Sequence, residues 1–138
     1  MKVIALEGFS NSGKTKTLNI VYSLLLQAGY AQVANAFQDL SNDDCLDVLE
    51  IPGKRIGIVT QGDYAIGSCS VRNHLLHLQS YNCDVAICAC TLGTSKQKIK
   101  DAITAYPSHH FVSKSKSSSV ALERIDNFNN ATHIMSLI

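Results

Sequence analysis

The octapeptide Gly8-Phe9-Ser10-Asn11-Ser12-Gly13-Lys14-Thr15 is the feature that most limits what this chain can fold into. It satisfies the pattern G-x-x-x-x-G-K-[ST], and its flanks match what that pattern needs. Before it, Lys2 to Glu7 is a short run rich in apolar residues that stops at Gly8, which reads as a buried strand. After it, Leu18, Val21, Leu24 and Leu25 recur at spacings of three and four, the stripe of a helix packed on a sheet, with Gly29 placed to end it. Strand, loop and helix in that order let the small loop residues point successive backbone N–H groups inward as an anion nest. The helix N-terminus adds positive partial charge to the same spot.

The rest of the chain alternates strand and helix signals. Ala31 to Phe37 reads as a second strand and Gln38 to Asp44 as a polar loop. Two apolar segments, Leu46 to Ile51 and Arg55 to Thr60, flank the turn signal Pro52-Gly53-Lys54 and predict a hairpin. Val71, Leu75 and Leu78 predict a helix reaching about Tyr81, with Ser68 or Ser70 as its N-cap. Asp84 to Cys90 is nearly continuous in apolar residues, as expected of a strand buried on both faces. Lys96 to Tyr106 predicts a third helix stopped by Pro107, and His109 to Val112 a last strand. Beyond the Ser- and Lys-rich stretch from Ser113 to Ser119, Val120 to Ile138 holds one or two helices. The alternation implies an open α/β sheet with right-handed crossovers.

At 138 residues the chain is long enough for one domain and one core. A formal net charge of +1 supplies no field that would draw nucleic acid or a membrane surface, so neither is expected as a partner. No apolar run reaches the roughly 18 residues that span a bilayer, and Glu7 ends the first one too early for a signal peptide. A cytoplasmic protein is the expectation. Five cysteines with no C-x-x-C pair fit neither a disulfide framework nor a four-ligand zinc site. Cys88 and Cys90 share a face of a buried strand and read as small core residues.

The octapeptide and its flanks resemble the P-loop NTPase superfamily. The resemblance carries over at Gly8, Gly13, Lys14 and Thr15, with Asn11 and Ser12 inside the same cradle, and the order of elements extends it over most of the chain. It implies a single domain over residues 1–138: a three-layer α/β fold with a mostly parallel sheet flanked by helices and one antiparallel hairpin. The P-loop strand would neighbour the strand that bears the second acidic motif. The ligands implied are ATP or another nucleoside triphosphate and Mg²⁺, with Lys14 on the β- and γ-phosphates and the Thr15 hydroxyl on the metal. The second acidic motif is less well matched, because Ile56-Gly57-Ile58-Val59 is followed by Thr60-Gln61-Gly62 before Asp63 arrives.

Asp63 is then a metal ligand, direct or through water, or a catalytic base, against the alternative of a turn or helix-capping Asp. Asp84 is its rival, at the amino end of its strand and so facing away from a site at the carboxyl ends. Asp39 occupies the place of an acceptor-binding or metal-ligating acid, whereas Asp43 and Asp44 read as a solvated loop face. Arg72 could reach acceptor or phosphate from the start of its helix, or face solvent. Gln61 could orient a water. Thr91 to Ser95 would line the crevice with hydroxyls or cap the next helix at Thr94 or Ser95. Lys114 and Lys116, after the last strand, stand where the superfamily wraps the nucleotide base. No N-K-x-D guanine signature precedes them, which favours ATP. Lys96, Lys98 and Lys100 read as a solvated helix face, and His74 with His77 lacks a third zinc ligand.

Two functions follow. One is a small kinase-like phosphotransferase acting on a small-molecule acceptor, with Phe37 to Lys54 as the acceptor wall. The other is an NTP-binding or NTP-hydrolysing switch read by a protein partner. The only arginines, Arg55, Arg72 and Arg124, with no spare segment for a lid, weigh against the first. The missing switch sequences weigh against the second.

Overall fold

The structure is a computed structural model that describes residues 1–138. The elements in chain order are β1 (Lys2–Gly8), α1 (Lys14–Gln27), β2 (Ala31–Gln32), β3 (Gln38–Ser41), β4 (Asp44–Ile51), β5 (Lys54–Val59), α2 (Val71–Ser80), β6 (Val85–Thr91), α3 (Gln97–Thr104), β7 (His109–Ser113) and α4 (Val120–Ser136). The seven strands form one sheet in the order β2-β4-β5-β6-β1-β7, and β3 also pairs with β4.

Alternating side chains divide the core between the two sheet faces. On β1, Ile4 and Leu6 join Leu18, Val21 and Leu25 of α1 and Ala131 and Ile134 of α4. Val3 and Ala5 point the other way, into the group that holds Leu75 and Leu78 of α2 and Ile99 and Ile103 of α3. The result is the three-layer arrangement expected from the stripes on α1 to α3, and β6 is buried along its whole length. Gly29, with φ 96, ends α1 as its position suggests, and Tyr30 N–H reaches back to Leu25 O at 3.1 Å. No helix is long and apolar enough to cross a membrane.

The sheet departs from the expected one in three ways. It is mixed rather than mostly parallel: β1 pairs in parallel with β6 and β7, and β5 with β6, but β4 is antiparallel to β5, β2 and β3. The expected second strand over 31–37 shrinks to Ala31–Gln32, while β3 forms inside the segment read as a loop. The physical reason is that β4 starts at Asp44, two residues early, and its free edge recruits Gln38–Ser41. Three successive residues, Ser41, Asn42 and Asp43, take positive φ to turn β3 into β4. Finally, β1 does not neighbour β5, because β6 lies between them. The Pro52-Gly53 hairpin is present as expected, with Ile51 opposite Lys54 and Gly53 at φ 80, the turn geometry in which glycine follows proline.

One fully buried carboxylate ties the antiparallel edge to α1. Asp47 accepts from Tyr22 Oη at 2.7 Å, Gln32 Nε2 at 2.8 Å and Val48 N at 2.8 Å. Burial, with the Asp47 carboxylate beside it, pushes the Tyr22 phenol well above its ordinary value. A raised folded-state pKa contributes stability that is whole below the ordinary tyrosine value of 10.0 and fades as pH climbs past it. Tyr22→Phe should therefore cost about 1–2 kcal/mol at neutral pH and flatten the loss of stability above that value. Urea unfolding on both sides of the tyrosine range measures both effects.

Candidate functional site

The carboxyl ends of β1, β5 and β6 open into a cleft of 570 Å³, within the range of about 300–1,000 Å³ of small-molecule sites. Its floor is the octapeptide. Asn11 at φ 60 and Gly13 at φ 97 place left-handed residues in the loop, the alternation that aims neighbouring N–H groups at one point. Gly13 stands at the N-cap of α1 with no side-chain cap bond, and the first turn carries no acid. The N-terminus of α1 is thus uncapped from within its own first turn, while Asn127 Oδ1 and Glu123 Oε1 of α4 lie beside Gly13. Glycine is required twice here: a Cβ on Gly8 would meet Lys114 O at 2.6 Å, and Gly13 takes the left-handed φ of 97 with Asn127 Oδ1 packed 2.8 Å from its Cβ position.

Lys14 is buried and its Nζ donates to Phe9 O at 2.7 Å. Burial holds this ammonium below its usual range, and the neighbouring Asp63 pulls the other way. Asp63 reaches the cleft by an unexpected route. Its strand, β5, is two positions from β1, yet the chain leaving β5 crosses the end of β6, where Thr91 N–H binds Gly62 O at 3.1 Å and Thr91 Oγ1 donates to Asp63 Oδ1 at 2.7 Å. Only glycine permits that crossing, since a Cβ on Gly62 would lie 2.4 Å from Ala89 O. Thr91 is buried and acts as the support of Asp63 rather than as a wall of the cleft.

Asp44, read from sequence as a solvated loop residue, is the acid that touches the octapeptide. Its Oδ1 accepts from Thr15 Oγ1 at 3.1 Å and from Thr60 Oγ1 at 2.8 Å. The hairpin register contains the signal for it, because Leu46 pairs with Val59, so continuing the register puts residue 44 opposite the exit of β5. Lys96 was also placed on a solvated face and instead lines the cleft, its Nζ bonded to Asp63 O. Neither Thr94 nor Ser95 caps α3, whose N-cap is Lys96. Ser70 caps α2, accepting from Asn73 N at 3.2 Å.

Other candidates lie elsewhere. Asp39 is exposed on β3 and accepts from Ser41 N at 2.9 Å. Arg72 lines a second cleft between α2 and α3. Gln61 is buried with its Oε1 2.9 Å from His74 Nε2, so its amide is spent on α2. Asp84 accepts from Arg55 N at 2.9 Å at the opposite ends of β5 and β6. Lys114 is buried behind Gly13, and burial lowers its pKa against the pull of Asp126 and Glu123. Its Nζ, Ser12 Oγ and Asn127 Oδ1 are buried without a hydrogen-bond partner, three orphaned polar atoms around the octapeptide.

Thr15 and Asp63 line the cleft and Asp44 touches Thr15 from behind, oxygen groups of the hard kind that Mg²⁺ takes. No group of three or more His, Cys, Asp and Glu side chains that could hold a metal ion converges in the chain. The close approach at Gly62 makes the cleft testable by its support: Gly62→Ala should destabilise the fold by about 1–3 kcal/mol and displace Asp63, measured by urea unfolding and by the loss of the Thr91 hydroxyl proton's protection in NMR. No protein-family model, curated protein or solved structure matches this chain.

Proposed function

We propose that the chain binds a nucleoside triphosphate, with ATP favoured over GTP, together with Mg²⁺, and works as a small kinase-like phosphotransferase of the P-loop kind. The observation that carries this reading is the octapeptide at an uncapped helix N-terminus, with Lys14, Asp63 and the Thr15–Asp44 pair around one polar cleft. The loop N–H groups and Lys14 would hold the β- and γ-phosphate oxygens. Thr15, with Asp44 and Asp63 beside it, would hold the metal, which when bound neutralises charge on those oxygens. Lys114, on the exit of β7 and outside the residues that line the cleft, would meet the nucleoside end.

The charge pattern supports the division of labour. Lys14, Lys16 and Lys96 line the cleft with Asp63 and Glu123. No arginine does: Arg55 is paired with Glu50 at 2.8 Å, Arg72 is in the other cleft, and Arg124 is on α4. A second reading, a switch that hydrolyses or merely binds the triphosphate, is favoured by one contact. Thr15 Oγ1 would ligate a metal through its lone pair while its proton stays on Asp44, and Asp44 directly follows the Ser41–Asp43 turn, so ligand binding would be felt in the β3–β4 hairpin.

Lys14→Ala should weaken Mg-ATP binding by about 1.5–3 kcal/mol, the worth of a charge-assisted contact, in calorimetry on a protein whose circular dichroism is unchanged. Unaltered affinity would remove the proposal. Asp44→Asn and Asp63→Asn should each reduce the Mg²⁺ dependence of that binding, while Asp84→Asn leaves it as in the parent.

The fate of γ-labelled phosphate separates the two readings. With no arginine and no lid, water enters the cleft, and turnover by the isolated protein should be slow. Label passing to a nucleoside, nucleotide or metabolite pool supports the phosphotransferase. Label released only as free phosphate, and accelerated only by a protein partner, selects the switch.

A further inference from the structure

The cleft is lined by three lysines, and they are not equally committed. Lys14 belongs to the octapeptide, and its Nζ donates to Phe9 O at 2.7 Å. Lys16, its side chain 72% exposed, meets Glu123 Oε1 at 3.4 Å. Lys96 is partly buried, donates to Asp63 O at 2.5 Å and takes part in no ion pair. That neutral carbonyl satisfies one N–H of the ammonium and leaves its charge unanswered. The place is also one that helix formation disfavours. Lys96 is the N-cap of α3, where it makes no side-chain cap bond, and no acid stands in the first turn. A cation at the positive end of a helix is unfavourable, and Thr94 and Ser95, residue types that cap well, directly precede it unused. A residue that opposes its own helix and yet lines a polar cleft marks a functional position.

We infer that Lys96 binds the γ-phosphoryl group, exchanging Asp63 O for a γ oxygen, and so makes the chain prefer a nucleoside triphosphate over the matching diphosphate. The inference rests on the triphosphate reading above and adds to it the residue that meets the third phosphate. Asp63 is the common neighbour that sets the geometry: it lies close enough to Lys14 to favour that ammonium's charged form, and its carbonyl holds Lys96. Two lysines thus reach one acid from different elements, Lys14 from the start of α1 and Lys96 from the start of α3. Phosphates held by the octapeptide N–H groups are met from the α1 side. A third phosphate extends beyond them into the cleft, where Lys96 is the one lysine bound neither to the octapeptide nor to a carboxylate. No arginine lines the cleft to share the task. A lysine suffices for it, because a compact ammonium with three rotatable donors moves from one oxygen to another without a fixed fork.

Calorimetry on the full chain with Mg²⁺ tests this, using ADP and the β,γ-imido analogue of ATP, which is not turned over. Lys96→Met should weaken the analogue about tenfold or more, the worth of one charge-assisted contact, and change ADP less than twofold. Lys96→Arg should restore most of the preference for the third phosphate, which a role in packing alone would not allow. Lys14→Ala should weaken both nucleotides, since it serves the β-phosphate as well. Lys98→Ala, whose side chain lines the other cleft, should bind both as the parent does, and circular dichroism checks that every variant is folded. Equal losses for ADP and the analogue in Lys96→Met, or no loss for either, overturn the inference and leave the triphosphate reading standing. A parent that binds the analogue no better than ADP also overturns it. A parent that binds neither nucleotide overturns the triphosphate reading and this inference together.

Discussion

The candidate site depends on a contact without any side chain, the passage of Gly62 across Ala89. A parallel sheet sets its strands about 4.8 Å apart, and β6 stands between β1 and β5. An acid carried at the end of β5 is therefore out of reach of a loop carried at the end of β1 unless the chain doubles over the intervening strand. Gly62 makes that possible by approaching Ala89 O more closely than any Cβ would allow, and Thr91 then fastens Asp63 in place through its backbone and hydroxyl. β6 thus acts as the platform on which the two halves of the cleft meet. Its burial on both faces keeps that platform rigid.

Around this platform the electrostatics are arranged by burial as much as by pairing. Lys14 and Lys114 both lose hydration, and in both the ammonium is held below its ordinary pKa despite nearby carboxylates. Lys114 Nζ has no hydrogen-bond partner, and Ser12 and Asn127 leave polar atoms equally unmatched beside it. Orphaned polar groups cost stability, so their concentration at the octapeptide is the mark of a place where folding alone does not satisfy the chemistry. The far end of β5 shows the contrast: Arg55 meets Glu50, and its other amine donates to Tyr81 O at 2.7 Å. The antiparallel edge is different again, with Asp47 buried but fully engaged.

Much of this was legible in the chain itself. The glycines and the lysine of residues 8–15 specify a loop between strand and helix whatever surrounds it, and the apolar spacing of 18, 21 and 25 specifies the face by which α1 packs. Pro52-Gly53 specifies a two-residue turn, and with it the pairing of β4 and β5. Periodicity and turn chemistry are local, acting over a few residues, and survive any rearrangement further away. Asp39 and Arg72 lie away from the cleft for the complementary reason. Each sits near a plausible sequence landmark, but whether it enters the cleft is decided by the edge on which its element lies.

What sequence by itself determined is therefore the octapeptide, the faces of the helices and the hairpin, all of which follow from local sterics and hydrophobic spacing. Tertiary structure alone decided the strand order, the growth of β3 on the free edge of β4, the union of Asp44 with Thr15, and the support of Asp63 by Thr91. All but the β3–β4 pairing join residues that are distant along the chain. Their partners are chosen by which sheet edge is free and which backbone can approach which, and no local pattern records that competition.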